Sequence, residues 1–252
     1  TRRQRQMCIR DRLLSGGYGT RLSPLSDIWP KCLMPINDKA LLEYWIDNLY
    51  DSGIHDILIN LHYFSDEVKK FLERDKFKGL VNWVYEDELL GTAGTLIKNH
   101  EFFRGGDILL AHADNFCSAN FSEFINAHQE KPKSCIATMM TFTTDQPESC
   151  GIVTKDANGI LIDFHEKVLN PPSNLANGAV YMLSEEFLDW VTEQNEISDF
   201  SLDVIPRLIG KISVWNNEGI HIDIGTIENL LKCQTIEREN SKVHNDEWQY
   251  LF

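Results

Sequence analysis

The stretch GGYGTRLSPLSDIWPKCLMPI, residues 16–36, decides how the rest of the chain is interpreted. Its glycines allow positive φ angles and let backbone N–H groups come close to a bulky ligand. N–H groups that converge on one point favour an anion, commonly a phosphate. Arg21 and Lys31 add positive charge, and Pro30 and Pro35 restrict the backbone around Lys31. The stretch therefore predicts a polyphosphate-binding loop.

Two common phosphate-binding motifs do not account for this loop. The chain lacks the P-loop pattern G-x-x-x-x-G-K-[ST], and the dinucleotide pattern G-x-G-x-x-G fails at Leu22. A glycine-rich turn by itself is most often only a tight turn. The interpretation of the loop therefore depends on the remainder of the chain.

The overall charge narrows the class of ligand. The 252 residues include 24 Lys and Arg against 38 Asp and Glu, a net charge of −14. This net charge argues against a nucleic-acid partner, because phosphate backbones require clustered cations. A polyphosphate would be repelled by the same field unless a divalent cation, held by carboxylates, offset the charge. A polyphosphate ligand would therefore call for a divalent cation and a few local cations at its site.

Other compositional features concern the location of the protein. No run of 18 apolar residues is present, so no membrane partner is expected. The six cysteines are scattered without a C-x-x-C pair, which predicts reduced thiols and a cytoplasmic protein.

Alternating helix and strand patterns predict an α/β fold with a mixed, mainly parallel central sheet and helices on both faces. Helical spacing covers 40–50 and 65–72, a short helix follows Gly94, and the strand patterns cover 56–61, 81–85, 107–111, 135–143, 151–154, 160–165, 178–183 and 219–224. Ligands of such sheets bind beyond the carboxyl ends of the strands. The glycine-rich loop and Asp114 both follow strands, so we expect them to share one crevice.

Several blocks together resemble a known family. They are residues 16–25 and 30–36, EDELLGTAG at 86–94, HADN at 112–115, FHEK at 164–167, NG at 177–178 and DIGT at 223–226. In this order and spacing they are similar to the sugar-phosphate nucleotidylyltransferases (NDP-sugar pyrophosphorylases), closest to the mannose-1-phosphate guanylyltransferase-like branch. The resemblance implies a three-layer Rossmann-like fold and a single domain over residues 13–233, followed by a polar tail over 234–252.

The resemblance also implies a reaction: a nucleoside triphosphate and a sugar 1-phosphate give an NDP-sugar and pyrophosphate. GTP and mannose 1-phosphate are the favoured substrates, and the oligomeric state, a homo-oligomer included, is left open. The sugar phosphate is already an anionic nucleophile, so catalysis needs cations and orientation rather than an activated side chain.

Residue roles follow from the same resemblance. The triphosphate would be held by Gly16, Gly17, Gly19, Thr20 and Arg21, and Lys31 would contact the sugar phosphate or the α-phosphate. Asp114 and Asp223 would bind Mg²⁺, which suits one or two protein carboxylates. The alternative is that Asp114 caps a turn and Asp223 N-caps the helix that starts near Thr226.

Base and sugar contacts are assigned in the same way. Gly91 and Thr92 would approach the base, and Glu86 or Glu88 would accept hydrogen bonds from guanine, unless both are merely solvated glutamates. Glu166 and Asn177 would bind hydroxyls of the sugar and Lys167 its phosphate, whereas His112 and His165 are interpreted as structural.

The first residues depart from the family pattern. An apolar strand should lead directly into the glycine-rich loop, yet only Leu13 and Leu14 fit it, after Arg10, Asp11 and Arg12. The DNA sequence ATG TGT ATA AGA GAC encodes residues 7–11, and it matches a transposon end that is used in preparing sequencing libraries. We therefore interpret residues 1–12 as a non-native segment.

Three functional classes remain open at this stage: an active nucleotidylyltransferase, a glycosyltransferase and a non-catalytic sugar-nucleotide-binding regulator. Within the first class, the alternative specificity is thymidylyl or uridylyl transfer to glucose 1-phosphate. HADN matches the glycosyltransferase Asp-x-Asp motif only in part. Intact Arg21, Lys31, Asp114 and Asp223 favour the first class.

Overall fold

The computed structural model describes residues 9–15 and 19–235. The strands are β1 Ile9–Leu14, β2 Pro35–Ile36, β3 Lys39–Ala40, β4 Asp56–Leu61, β5 Val81–Tyr85, β6 Asp107–His112, β7 Asn115–Cys117, β8 Ala137–Thr143, β9 Gly151–Lys155, β10 Leu161–Glu166, β11 Leu175–Leu183, β12 Ile212–Asn216 and β13 His221–Asp223. The helices are α1 Leu41–Asp51, α2 Ser65–Leu72, α3 Gly91–Lys98, α4 His100–Phe103, α5 Phe121–Gln129, α6 Glu185–Thr192 and α7 Ile227–Gln234. Of the predicted site residues, Gly16 and Gly17 lie outside the described ranges.

A nine-stranded sheet forms the centre of the fold. Its main order is β10-β9-β11-β6-β1-β4-β5, with β8 beside β11 and β12 beside β8. β1 pairs in parallel with β4 and β6, and β4 with β5, whereas β11 is antiparallel to β6 and β8. The carboxyl ends of β1, β4 and β6 therefore meet at one edge of the sheet, where ligands of such folds bind.

Helices cover both faces of this sheet. One apolar cluster joins it to α1, α2, α5 and α7, and a second joins it to α3, α4 and α6. The neighbouring residues Leu13 and Leu14 of β1 belong to different clusters, as the alternation of side chains along a strand requires. The three-layer α/β architecture with a mixed sheet, predicted from the sequence, is confirmed.

The first strand is longer than predicted. It begins at Ile9 rather than Leu13, and Asp11 pairs with Ile57 on one side and Leu109 on the other. The reason is that a central strand is held by backbone hydrogen bonds to two neighbours whatever its side chains are. As a consequence, Asp11 and Arg12 are fully buried.

The last described helix ends one residue inside the predicted tail. Gln234 is its final residue, and the Gln234 side chain donates to the Pro35 carbonyl and accepts from the Asn37 amide, both at 2.6 Å. These bonds attach the helix to the β2–β3 hairpin; residues 236–252 of the predicted tail lie outside the described residues. None of the helices in the described ranges is long and apolar enough to cross a membrane.

Candidate active site

A buried lysine lies between two aspartates at the ligand-binding edge. Lys31 starts a 3₁₀ turn and is only 7% exposed. Its Nζ lies 2.9 Å from Asp114 Oδ2, just beyond β6, and 2.8 Å from Asp223 Oδ1, the last residue of β13. β13 is brought here by its pairing with β7, in which Asp223 lies opposite Asn115. The fold thus joins three side chains that are distant in sequence.

The charges of Lys31 and Asp223 stabilise each other. Burial alone would lower the pKa of Lys31, but Asp114 and Asp223 outweigh it and raise that pKa above its usual value. Burial would likewise raise the pKa of Asp223, whereas Lys31 and Arg21 hold it below its usual value. The site therefore contains a fixed ammonium and a fixed carboxylate at neutral pH.

Arg21 adds a second cation. It lies in the 3₁₀ turn Thr20–Leu22, and its Nη2 is 2.8 Å from Asp223 Oδ2. The guanidinium remains 67% exposed, so it can reorient towards a phosphate at little cost. A Cβ at Gly225 would lie 2.8 Å from Arg21 Nη2 and 2.9 Å from Asp223 Oδ1, so any larger residue there would displace the Arg21–Asp223 ion pair.

Asp114 and Asp223 form a donor pair that fits Mg²⁺. No group of three or more His, Cys, Asp or Glu side chains converges anywhere in residues 9–15 and 19–235. Mg²⁺ requires no such group, because it takes one or two protein carboxylates and completes its shell with phosphate oxygens and water. The alternative role for Asp223 is wrong: α7 is capped by Thr226, whose Oγ1 accepts from the Asn229 amide at 3.2 Å.

A cavity of about 240 Å³ opens beside this cluster. It is lined by Leu14, Ser15, Gly19, Lys31, Cys32, Asn60, Glu86, Leu89, Gly91, Thr92, Thr95, His112 and Asp114. The structure thus brings six predicted site residues around one cavity: Gly19, Lys31, Glu86, Gly91, Thr92 and Asp114. Thr20 is exposed and, like Glu88, is not part of the lining.

Glu86 is held deep in the cavity wall rather than on a solvated loop. It is 1% exposed, and its Oε1 accepts from Arg12 Nη2 at 3.0 Å and from the Thr95 hydroxyl. Its Oε2 is 3.4 Å from Asn60 Nδ2. The solvated interpretation is therefore wrong for Glu86, whereas Glu88 is exposed as that interpretation expects. Burial lowers the pKa of Arg12 to about 10, against the opposing effect of Glu86, and leaves the guanidinium charged.

The glycine at position 91 is required by the protein itself. Gly91 has φ +77°, and a Cβ there would lie 2.4 Å from the carbonyl oxygen of Ser198. Thr92 Oγ1 accepts from the Phe200 amide at 2.7 Å. The close approach that the sequence suggested for a base is thus made by Ser198, although both residues also line the cavity.

The predicted sugar-binding residues are not part of the cavity lining. Glu166 ends β10, and its Oε1 is 3.3 Å from Lys167 Nζ. Asn177 donates to the Tyr181 hydroxyl at 2.7 Å. β11 is antiparallel to β6, so Asn177, near the start of β11, lies towards the edge at which β6 ends. The end of β10 and the start of β11 both flank the start of β9, since Glu166 pairs with Gly151 and Ala176 with Ile152.

The two histidines interpreted as structural occupy different positions. His112 is half-buried and lines the cavity, and burial lowers its pKa, against Asp114 among other groups, which favours a neutral ring. His165 Nε2 lies 3.1 Å from Asp163 Oδ2, away from the lining.

The sequence analysis did not predict that residues 198–203 contact the helix that lines the cavity. Residues 198–203 contact the start of α3 through Ser198 and Phe200. The only local signal was a run of turn-capping residues, Ser198, Asp199, Ser201 and Asp203, which predicts a turn but no partner for it.

Comparison with known proteins identifies the family of this chain. Residues 12–240 match the family model described as nucleotidyl transferase. The chain belongs to the nucleotidyl transferase family. A Sulfolobus acidocaldarius protein provisionally assigned as a mannose-1-phosphate guanyltransferase is 30% identical over 87% of this chain and 60% of its own length. The Thermotoga sp. (strain RQ2) glucose-1-phosphate adenylyltransferase is 28% identical over 85% of this chain and 57% of its own length. The chain thus spans about 60% of the length of these curated relatives.

Two solved structures have the same fold as this chain. A Bacillus anthracis protein provisionally assigned as a glucose-1-phosphate thymidylyltransferase, in complex with a sucrose, has a TM-score of 0.80 at 20% identity, covering 96% of this chain and 99% of that one. HddC from Yersinia pseudotuberculosis, complexed with GMP-PN, has a TM-score of 0.76 at 23% identity, covering 90% and 98% of the two chains. At these identities the likeness concerns the fold.

Proposed function

We propose that the protein transfers a nucleotidyl group from a nucleoside triphosphate to a sugar 1-phosphate, forming an NDP-sugar and pyrophosphate. The observation that carries the proposal is the buried Lys31 ammonium between Asp114 and Asp223, beside Arg21 and at the wall of the cavity. Membership of the nucleotidyl transferase family and the names of the relatives support it.

The proposed reaction needs charge neutralisation above all. A phosphate oxygen of the sugar 1-phosphate attacks the α-phosphorus, a P–O bond forms, and the bond from that phosphorus to the bridging oxygen breaks to release pyrophosphate. Lys31 would offset charge on the reacting phosphates, and the exposed Arg21 would contact the leaving group. Mg²⁺ bound by Asp114 and Asp223 would supply further neutralisation of the phosphate oxygens. Carboxylates that already hold Lys31 also fix its ammonium in position before substrate arrives.

GTP and mannose 1-phosphate are the substrates we favour within this class. Glu86 presents a buried carboxylate to the cavity, and guanine carries two adjacent N–H groups that a carboxylate can accept from. The name of the Sulfolobus relative agrees with this choice. We assign the contacts with the sugar 1-phosphate to Glu166, Lys167 and Asn177. We also propose a cytoplasmic location, which the five free cysteines of the described ranges support.

The test is a substrate matrix with pyrophosphate release as the readout. GTP, ATP, UTP and dTTP are each combined with mannose 1-phosphate or glucose 1-phosphate in the presence of Mg²⁺, with the sugar phosphate omitted as the control for simple hydrolysis. We expect sugar-dependent release, highest with GTP and mannose 1-phosphate. A higher rate with dTTP or UTP and glucose 1-phosphate would establish the alternative specificity, and no release from any pair would contradict the proposed reaction.

A further inference from the structure

The segment from Ser198 to Asp203 is attached to the first turn of α3, which forms one wall of the cavity. The Ser198 carbonyl oxygen accepts from the Ala93 amide at 2.9 Å and from the Gly94 amide at 3.3 Å. Amides in the first turn of a helix have no partner within the helix. Ser198 therefore supplies the acceptor that fixes the start of α3.

Two further contacts join the same segment to residues that line the cavity. The Phe200 amide donates to Thr92 Oγ1 at 2.7 Å. At Gly91 the approach of the Ser198 carbonyl is so close that a Cβ would lie 2.4 Å from it. The position of Gly91 and Thr92 thus depends on where the backbone of 198–200 lies.

One carboxylate fixes that backbone. Asp203 Oδ2 accepts from the Ser198 amide at 2.9 Å, the Asp199 amide at 2.8 Å and the Ser198 hydroxyl at 3.4 Å. These backbone hydrogen bonds lower the pKa of Asp203, so it is ionised at neutral pH. A charged acceptor makes stronger hydrogen bonds than a neutral one.

We propose that Asp203 is a positioning residue of the nucleotide cavity, acting through Ser198 on Gly91 and Thr92. The inference rests on the proposed function, because it assigns the cavity to the nucleoside triphosphate. Loss of the carboxylate removes the common acceptor of two adjacent amides and releases the Ser198 carbonyl from the start of α3. Nucleotide binding then weakens, while Lys31 and the two aspartates that it contacts keep their geometry.

The variants are Asp203→Ala, Asp203→Asn and a matched control, Asp156→Ala. Asp156 Oδ1 likewise accepts two backbone amides, from Asn158 at 2.9 Å and Ile160 at 2.8 Å, in the turn between β9 and β10 at the end away from Glu166. For Asp203→Ala we expect KM for GTP to rise about tenfold, with kcat and KM for mannose 1-phosphate within about twofold of wild type. Asp203→Asn keeps one acceptor oxygen and should lie within about threefold of wild type. The control should match wild type.

Amide hydrogen exchange provides a readout that needs no turnover. In Asp203→Ala the peptide covering residues 89–98 should exchange about tenfold faster, while peptides from α1 and α7 exchange at the wild-type rate. Unchanged KM for GTP together with unchanged exchange at 89–98 would overturn the inference, as would a uniform rise in exchange over the whole protein. If wild type turns over no substrate pair, the proposed reaction fails, whereas the exchange result still decides whether Asp203 positions the cavity wall.

Discussion

Replacing Asp11 by an apolar residue should make the protein more stable. Asp11 lies in the central strand β1, next to Ile57 and Leu109 of the neighbouring strands, and is fully buried. Neither of its carboxyl oxygens forms a hydrogen bond with any residue in the described part of the chain. Leucine has the same number and branching of side-chain heavy atoms beyond Cβ, so Asp11→Leu keeps the shape of the side chain and adds only the larger radius of two methyl groups.

The size of the effect follows from two contributions. An unsatisfied buried polar group costs about 1–3 kcal/mol, and burying a leucine side chain contributes about 1.5–3 kcal/mol. We therefore expect Asp11→Leu to raise the free energy of unfolding at pH 7 by about 3 kcal/mol or more. For a chain of this size that corresponds to a rise in Tm of about 6–12 °C.

The gain should depend on pH in a defined direction. Burial raises the pKa of Asp11 well above its usual value, against smaller opposing effects of the Arg12 amide and guanidinium. The folded state therefore keeps a proton that the unfolded chain releases near pH 4, so wild-type stability falls as the pH rises above that value. Asp11→Leu and the neutral isostere Asp11→Asn both lack this loss, and only the leucine adds apolar burial.

The assay is urea unfolding of the three proteins at pH 4 and pH 7, with Asp163→Leu as control because Asp163 is an exposed strand aspartate. The stability difference between Asp11→Leu and wild type should be larger at pH 7 than at pH 4. An Asp11→Leu protein no more stable than wild type at pH 7, or a pH dependence identical to that of wild type, would refute the reasoning.

The other predictions concern the proposed reaction. Lys31→Ala should lower kcat/KM by about 100-fold or more, since one preorganised donor to transition-state charge contributes roughly 3 kcal/mol, and near-normal kinetics would reduce the lysine to a structural role. Lys69→Ala, on the exposed side of α2, should leave the rate unchanged. A chelator should abolish pyrophosphate release and added Mg²⁺ should restore it; full activity in excess chelator would count against the carboxylate pair as a metal site. Glu86→Gln should reduce the preference for GTP over UTP and dTTP by at least about tenfold, whereas Glu88→Gln, outside the cavity, should not; equal selectivity in both variants would defeat the guanine assignment.

Much of the fold could be predicted because the patterns that specify it are local. β4, α2 and β5 have the bounds that periodicity indicated. The hairpin turn at Asn158 and Gly159 is confirmed, with Gly159 at φ +77° between β9 and β10. α5, α6 and β12 were not predicted.

The start of β1 was missed for a different reason. Arg10, Asp11 and Arg12 have the polarity of an exposed segment, and only pairing with β4 and β6 makes them a central strand. No local property of the residues reports those neighbours, because tertiary context overrides strand propensity.

For the candidate site, residue types were accessible from the sequence but partners were not. Strand ends and the family resemblance placed Lys31, Asp114 and Asp223 together as expectations. That Lys31 would lie between both carboxylates depends on the pairing of β13 with β7. The contact of Glu86 with Arg12 likewise depends on the side-by-side order of β1, β4 and β5.

The two carboxylates around Lys31 enter the chain at very different times during synthesis. Asp114 follows the lysine by 83 residues and Asp223 by 192. Chains emerge from the ribosome amino terminus first, so β1, β4 and β6 can pair before β13 exists. A nascent chain released between residues 203 and 223 would hold the cavity and one carboxylate, with Arg21 left without its aspartate partner. The charged cluster of Lys31, Asp114, Asp223 and Arg21 can therefore form only after nearly the whole described domain has been synthesised and folded.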